Sequence, residues 1–90
     1  MKKAIVTVLG KDRAGIIAGV STLLAGQNVN ILDINQTIMR DYFTMVMLVD
    51  VEPCAVSFAA LKKDLKDLGA EMNLSVHIQQ EEIFNAMHNA

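Results

Sequence analysis

The segment Gly10-Lys11-Asp12-Arg13-Ala14-Gly15-Ile16 carries the clearest chemistry in this chain. Two glycines bracket a lysine, an aspartate and an arginine. The segment lies between a short apolar run, residues 4–9, and an amphipathic run that opens at Ile16. A strand therefore empties into a loop, and the loop opens a helix. The first turn of such a helix leaves N–H groups unpaired and carries a partial positive charge. That corner can hold a carboxylate or another anion. Glycine there allows a positive φ or the close approach of another group. The same residues also suit a plain turn, and Asp12 suits the cap of the helix. From these residues alone both readings stand.

Other polar groups are fewer. Asn30 offers a donor and an acceptor at the start of a strand, to a ligand or to the backbone beside it. Asp33, Asn35 and Thr37 share one face by the period of two. They suit a solvated edge or an interface rim better than a recognition site. Gln36 shares the other face with Leu32, Ile34 and Ile38, which predicts a buried amide that needs partners. His77 and His88 are the two histidines, and no further ligands are spaced to make a metal site with them. Cys54 is a single cysteine beside Pro53, so neither an internal disulfide nor a cysteine metal pair is expected. No base is suggested beside it, which argues against a nucleophile.

Composition narrows the classes. The chain has 90 residues, 52% of them apolar and 20% charged, the balance of a folded domain. The net charge of −2 and the scattered lysines and arginines lack the basic stripe of a nucleic-acid binder. The aromatics Tyr42, Phe43, Phe58 and Phe84 make no stacking platform. No apolar run nears the ~20 residues of a membrane span, and the N-terminus does not read as a signal peptide. A soluble cytoplasmic protein, with residues 1–90 as a single domain, is the expectation.

The elements that hold the loop follow from periodicity. Residues 4–9 predict a buried strand. Ile16, Val20, Leu23 and Leu24 mark one helix, with Gly26 expected at its C-terminal cap. Asn30–Met39 and Tyr42–Asp50 predict two strands around a tight turn at Arg40-Asp41. The second of these is apolar on both faces, so it belongs mid-sheet. Phe58, Leu61, Leu65 and Leu68 mark a second helix, with Ser57 as N-cap and Gly69 as C-terminal stop. Met72, Leu74, Val76 and Ile78 alternate with polar residues as a half-buried edge strand. Met39, Met45, Met47, Met72 and Met87 occupy core-like positions. Residues 79–90 form an extension in which 81–88 predict a short helix, with His88 at its C-terminal end. The order β-α-β-β-α-β gives an α+β, ferredoxin-like sandwich: a four-stranded antiparallel sheet with helices on one face, plus the short C-terminal helix. Right-handed crossovers put strands one and three in the centre. Apolar surface then remains on the outer face or edge, and a second copy is its simplest cover.

The same residues carry a family likeness. Gly10-Lys11-Asp12-Arg13-Ala14-Gly15-Ile16 closely resembles the first loop of ACT domains, small regulatory modules of this topology. Asn28-Val29-Asn30-Ile31 resembles their approach to strand two. Asp33-Ile34-Asn35-Gln36-Thr37, Tyr42-Phe43-Thr44-Met45 and the ending Ile83-Phe84-Asn85-Ala86-Met87-His88 resemble stand-alone single-ACT-domain proteins of bacteria and archaea. The chain is also similar to the ACT repeats of glycine-cleavage transcriptional repressors. The likeness covers nearly the whole chain.

The resemblance implies a binding module rather than an enzyme, without a cofactor. It implies a homodimer or higher homo-oligomer, often with sheets aligned into one of eight strands. It implies a small-molecule ligand, most simply an amino acid, near the subunit interface, and a regulated partner protein of unknown identity. Carried over by position, the ligand contacts are Gly10, Asp12, Arg13, Ala14, Gly15 and Ile16 of one chain with Asn30, Ile31 and Leu32 of another. In that scheme Asp12 takes a ligand amino group, and the N–H groups around Gly15 and Ile16 take a carboxylate. Some amino-acid-binding members have proline just before the second loop glycine, where this chain has Ala14. Two rivals remain. One is a ligand-free association module. The other, more remote, is an acylphosphatase-like hydrolase, which would need Arg13 in a phosphate cradle and Asn30 positioning water.

Overall fold

The computed structural model describes residues 2–11 and 13–82, with Arg13 described by its backbone. Strand β1 (Lys3–Gly10) leads to helix α1 (Arg13–Gly26), strands β2 (Asn30–Met39) and β3 (Tyr42–Asp50), helix α2 (Phe58–Met72) and strand β4 (Ser75–Gln80). The strands form one antiparallel sheet in the order β2-β3-β1-β4. This is the ferredoxin-like arrangement, with β1 and β3 central as their apolar faces require. Glu81 and Glu82 have helical backbone. The rest of the expected C-terminal helix, with Ile83, Phe84, Met87 and His88, lies outside the described residues.

Period-two alternation builds the core. Ala4, Val6 and Val8 of β1 stand opposite Val49, Met47 and Met45 of β3 on one face. All six are fully buried, as are Ile16, Val20 and Leu24 of α1 and Leu61 of α2, with Leu65 1% exposed. Ile16, Val20 and Leu24 recur every fourth residue, so one stripe of α1 lies over the sheet. Burying each of these larger side chains is worth ~1.5–3 kcal/mol. The opposite sheet face is left open.

Both helices end differently from expectation. The residue in the left-handed region after α1 is Asn28 (φ 64°), not Gly26. Its N–H reaches the Ala25 carbonyl at 3.0 Å, and the Val29 N–H reaches that of Leu24 at 2.9 Å. This is a Schellman closure. α2 runs past Gly69 to Met72 and closes at Asn73 (φ 61°, ψ 45°), with the Leu74 N–H on the Gly69 carbonyl at 2.7 Å. Asparagine tolerates this conformation better than most side chains do. Residues 72–74, expected in the last strand, therefore end the helix instead. Gly69 serves packing: a Cβ there would lie 3.0 Å from the Leu74 carbonyl oxygen and 3.1 Å from Val76 Cγ2. The start of α2 is as expected, with the Ser57 hydroxyl accepting from the Ala60 N–H at 3.2 Å.

β2 overhangs the layer above it. Its register with β3 shifts between Ile31 and Asp33, so Leu32 is the extra residue of a bulge. Beyond the bulge Ile34, Gln36 and Ile38 stand opposite Met47, Met45 and Phe43, on the helix side. The helices do not extend over them. Ile34 and Ile38 remain 39% and 60% exposed, and Gln36, expected to be buried, is exposed too. Met45 and Met47 are core residues, whereas Met39 is exposed at the turn and Met72 is half-buried. Arg40 and Asp41 form the two-residue turn, and Arg40 takes φ 54°.

Candidate functional site

β1 ends at Gly10, which is buried opposite Phe43. A Cβ at this position would collide with Leu74 Cδ2 and approach Ile16 Cδ1 to 2.6 Å. Gly10 therefore makes room for two apolar side chains, and none of the described glycines has a positive φ. α1 begins at Arg13, so Ala14, Gly15 and Ile16 belong to its first turn. Ala14 is exposed, Gly15 half-buried and Ile16 fully buried. Asp12 and the Arg13 side chain lie outside the described residues.

A hollow of about 460 Å³ opens beside this turn, lined by Leu9, Gly10, Lys11, Ile16, Tyr42, Met72, Asn73 and Leu74. The Lys11 ammonium stands 5.5 Å from the centroid of the Tyr42 ring, within cation–π range. An apolar wall with one cation at its mouth can hold a small anion that has an aliphatic body, without covalent chemistry.

Asn30, Ile31 and Leu32 are at the other end of the sheet. Asn30 stands opposite Asp50, whereas Gly10 stands opposite Phe43. The step along β3 from Phe43 to Asp50 is about 24 Å at ~3.4 Å per residue. One copy thus brings Gly10, Ala14, Gly15 and Ile16 together but keeps Asn30, Ile31 and Leu32 apart from them. The Arg13–Asn30 pairing that a hydrolase would need is divided in the same way, since α1 starts at the Gly10 end. Asn30 is exposed, Ile31 half-buried against the core, and Leu32 42% exposed at the bulge.

Sequence reasoning missed several residues around the loop. Tyr42 had a signal: a two-residue turn at Arg40-Asp41 sets it beside the rung of Phe43 and Gly10. Asn73 and Leu74 had none, because the helix was expected to stop at Gly69. A second hollow, of about 410 Å³, lies at the opposite end among Lys2, Val51, Glu52, Cys54, Val56, Ser57, Phe58, Leu61 and Gln80. Cys54 is half-buried there. The loop that carries it is tied to the end of α1. Asn28 Nδ2 donates to the Pro53 carbonyl at 3.1 Å, and the Ala55 N–H to that of Gln27 at 2.9 Å. His77 Nε2 lies 3.2 Å from the Ser75 hydroxyl, and these are the two exposed residues of β4. Among the described residues no three His, Cys, Asp or Glu side chains cluster to hold a metal, and no helix is long and apolar enough to cross a membrane.

Known proteins share the family and the fold. A family model described as the ACT domain matches residues 2–79. A UPF0237 protein of Clostridium acetobutylicum is 55% identical over 86 residues, 96% of this chain and 97% of that one. The solved structure of an ACT domain protein from Streptococcus pneumoniae superposes with a TM-score of 0.80 at 41% identity, covering 92% of this chain and 93% of that one. A putative glycine cleavage system transcriptional repressor shares the fold, with a TM-score of 0.74 at 24% identity over 88% of this chain and 45% of its own. ACT domains are typically regulatory, ligand-binding modules, and the chain belongs to the ACT domain family.

Proposed function

We propose that two copies of this chain join along β2 and hold a small metabolite, an amino acid or a close relative, between them. The ligand lies between the first loop of one copy and the start of β2 in the other, and the occupied pair acts on a partner protein. One observation carries this reading: the two contact segments are about 24 Å apart in a single copy at ~3.4 Å per strand residue. Antiparallel pairing of two β2 edges sets Asn30 of the second copy at the Met39 end of the first, the end where Gly10 lies. It also covers Ile34 and Ile38. The ligand carboxylate meets Lys11 and the N–H groups of the α1 first turn. The ligand amino group meets Asp12. Occupancy favours one arrangement of the two copies, and the partner protein responds to that arrangement.

One observation favours the ligand-free association module instead. The space at Gly10 is already filled by Leu74 and Ile16. The experiment that separates the two readings is a thermal-melt screen against the twenty amino acids, with sedimentation at micromolar concentration. A ligand at ~100 times its dissociation constant adds ~2.7 kcal/mol per site. In a domain of this size that raises the melting point by roughly 10 °C or more. Gly15→Val should abolish that rise while lowering the melting point itself by less. Equal loss of binding and fold would refute the loop as a ligand contact. A monomer would refute the two-copy site, and a dimer with a flat screen would leave association alone.

A further inference from the structure

The opposite edge of the sheet has a different character. β4 pairs with β1 on one side and has no strand on the other among the described residues. In an antiparallel ladder every second residue turns its N–H and carbonyl away from its partner. Half of β4 therefore presents these groups outward. A groove of about 460 Å³ runs along this edge, lined by Thr7, Lys62, Lys66, Val76, His77, Ile78 and Gln79. Its upper wall is lysine from α2, and its floor is the strand edge.

The charge on that wall is uncompensated. Lys63, on the same helix, is bonded to Asp67 at 3.0 Å, which holds its pKa above the usual lysine value. Among the described residues Lys62 and Lys66 have no acidic partner. Four residues apart, they stand ~6 Å apart along the helix axis. Side chains at i and i+2 of an extended strand share a face at a spacing of ~6.6–6.8 Å. The two ladders match.

We infer that the β4 edge takes an extended acidic segment of another protein, with carboxylates at alternate residues. Its backbone extends the sheet beside Ser75–Gln80, and its carboxylates meet Lys62 and Lys66. This is strand addition, in which main-chain bonds give affinity and the alternate side chains give specificity. The site lies on the edge away from β2, so it does not depend on whether a small molecule binds at the first loop.

The test is fluorescence anisotropy on the purified full chain with a labelled decapeptide alternating glutamate and valine. A lysine–valine peptide and a glutamate peptide interrupted by prolines serve as controls. Saturable binding of the first alone is expected, weakened about tenfold or more by Lys62→Glu with Lys66→Glu and unaffected by Lys63→Glu. All three side chains are exposed, so the variants should stay folded, with melting points lowered by only a few degrees through the like-charge pairs they create. Amide shifts on titration should centre on Ser75–Gln80. Equal binding of the proline-interrupted peptide would reduce the edge to a generic anion patch and overturn the proposal. So would shifts centred on β2, or no binding at millimolar peptide.

Discussion

Gly69→Ala and Gly26→Ala form a matched pair that separates backbone propensity from packing. Both glycines are helical with negative φ, so alanine is favoured at each by up to ~1 kcal/mol in a helix interior. At Gly26, the last residue of α1, the gain is about 0.5 kcal/mol because a terminal turn is only partly ordered. Nothing lies within 4 Å of a Cβ there, so the gain stands alone. At Gly69 the new methyl meets a backbone oxygen, Leu74 O, at 3.0 Å, and Val76 Cγ2 at 3.1 Å. Leu74 has little freedom to retreat. Its N–H is bonded to the Gly69 carbonyl at 2.7 Å, and the next residue starts β4. Overpacking of this kind costs ~1–3 kcal/mol, which outweighs the propensity gain and leaves Gly69→Ala about 1 kcal/mol less stable. At ~4–8 °C per kcal/mol, its melting point should fall by roughly 4–8 °C while that of Gly26→Ala rises by roughly 2–4 °C. Scanning calorimetry with a matching urea melt is the assay. A Gly69→Ala protein that melts as high as Gly26→Ala would refute the claim that the glycine spaces α2 from β4.

Four further substitutions, at three positions, follow from the caps and the turn. Ser57→Ala removes the hydroxyl that accepts from Ala60 and should cost about 1 kcal/mol in a urea melt. Asn73→Ala puts a methyl side chain at φ 61° and should cost ~1–2 kcal/mol, whereas Asn73→Gly should stay near the parent. Arg40→Gly relieves the left-handed turn residue (φ 54°) and, after the entropy of a freer unfolded chain, should gain about 0.5 kcal/mol with the cooperativity unchanged.

Strand and helix order was readable because the signals were periodic and dense. Asn30–Met39 and Tyr42–Asp50 have the same bounds in sequence and structure. Helix ends were not, because glycine is the usual left-handed cap and this chain uses Asn28 and Asn73 instead. Its glycines at positions 10, 19 and 69 sit where a Cβ would press on a neighbour. That is a tertiary property, invisible in a local window. Gln36 was misjudged for a related reason. Alternation assigns a residue to a face, but how far the helices extend over that face is decided by packing elsewhere. For the proposed ligand site, the residues themselves pointed only to the first loop. The other half of that site, Asn30 to Leu32, came from the family resemblance, although the expected strand order already put the end of β1 and the start of β2 at opposite ends of the sheet.

The strand order also sets a timetable for synthesis. β1 lies between β3 and β4, yet Val6 pairs with Met47 and Ile78, which come much later in the chain. At ~5–20 residues per second, β1 waits roughly 2–8 s for its first neighbour and roughly 4–14 s for its second. Until β3 is made the apolar side chains Ile5, Val6, Val8 and Leu9 have no sheet to join. The β2–β3 hairpin is the one strand pair joined by a short turn, so it is the earliest piece of the sheet available to the growing chain. The central strand is therefore the last to be enclosed on both sides. A chaperone acting on this protein would have most to do before β4 is made.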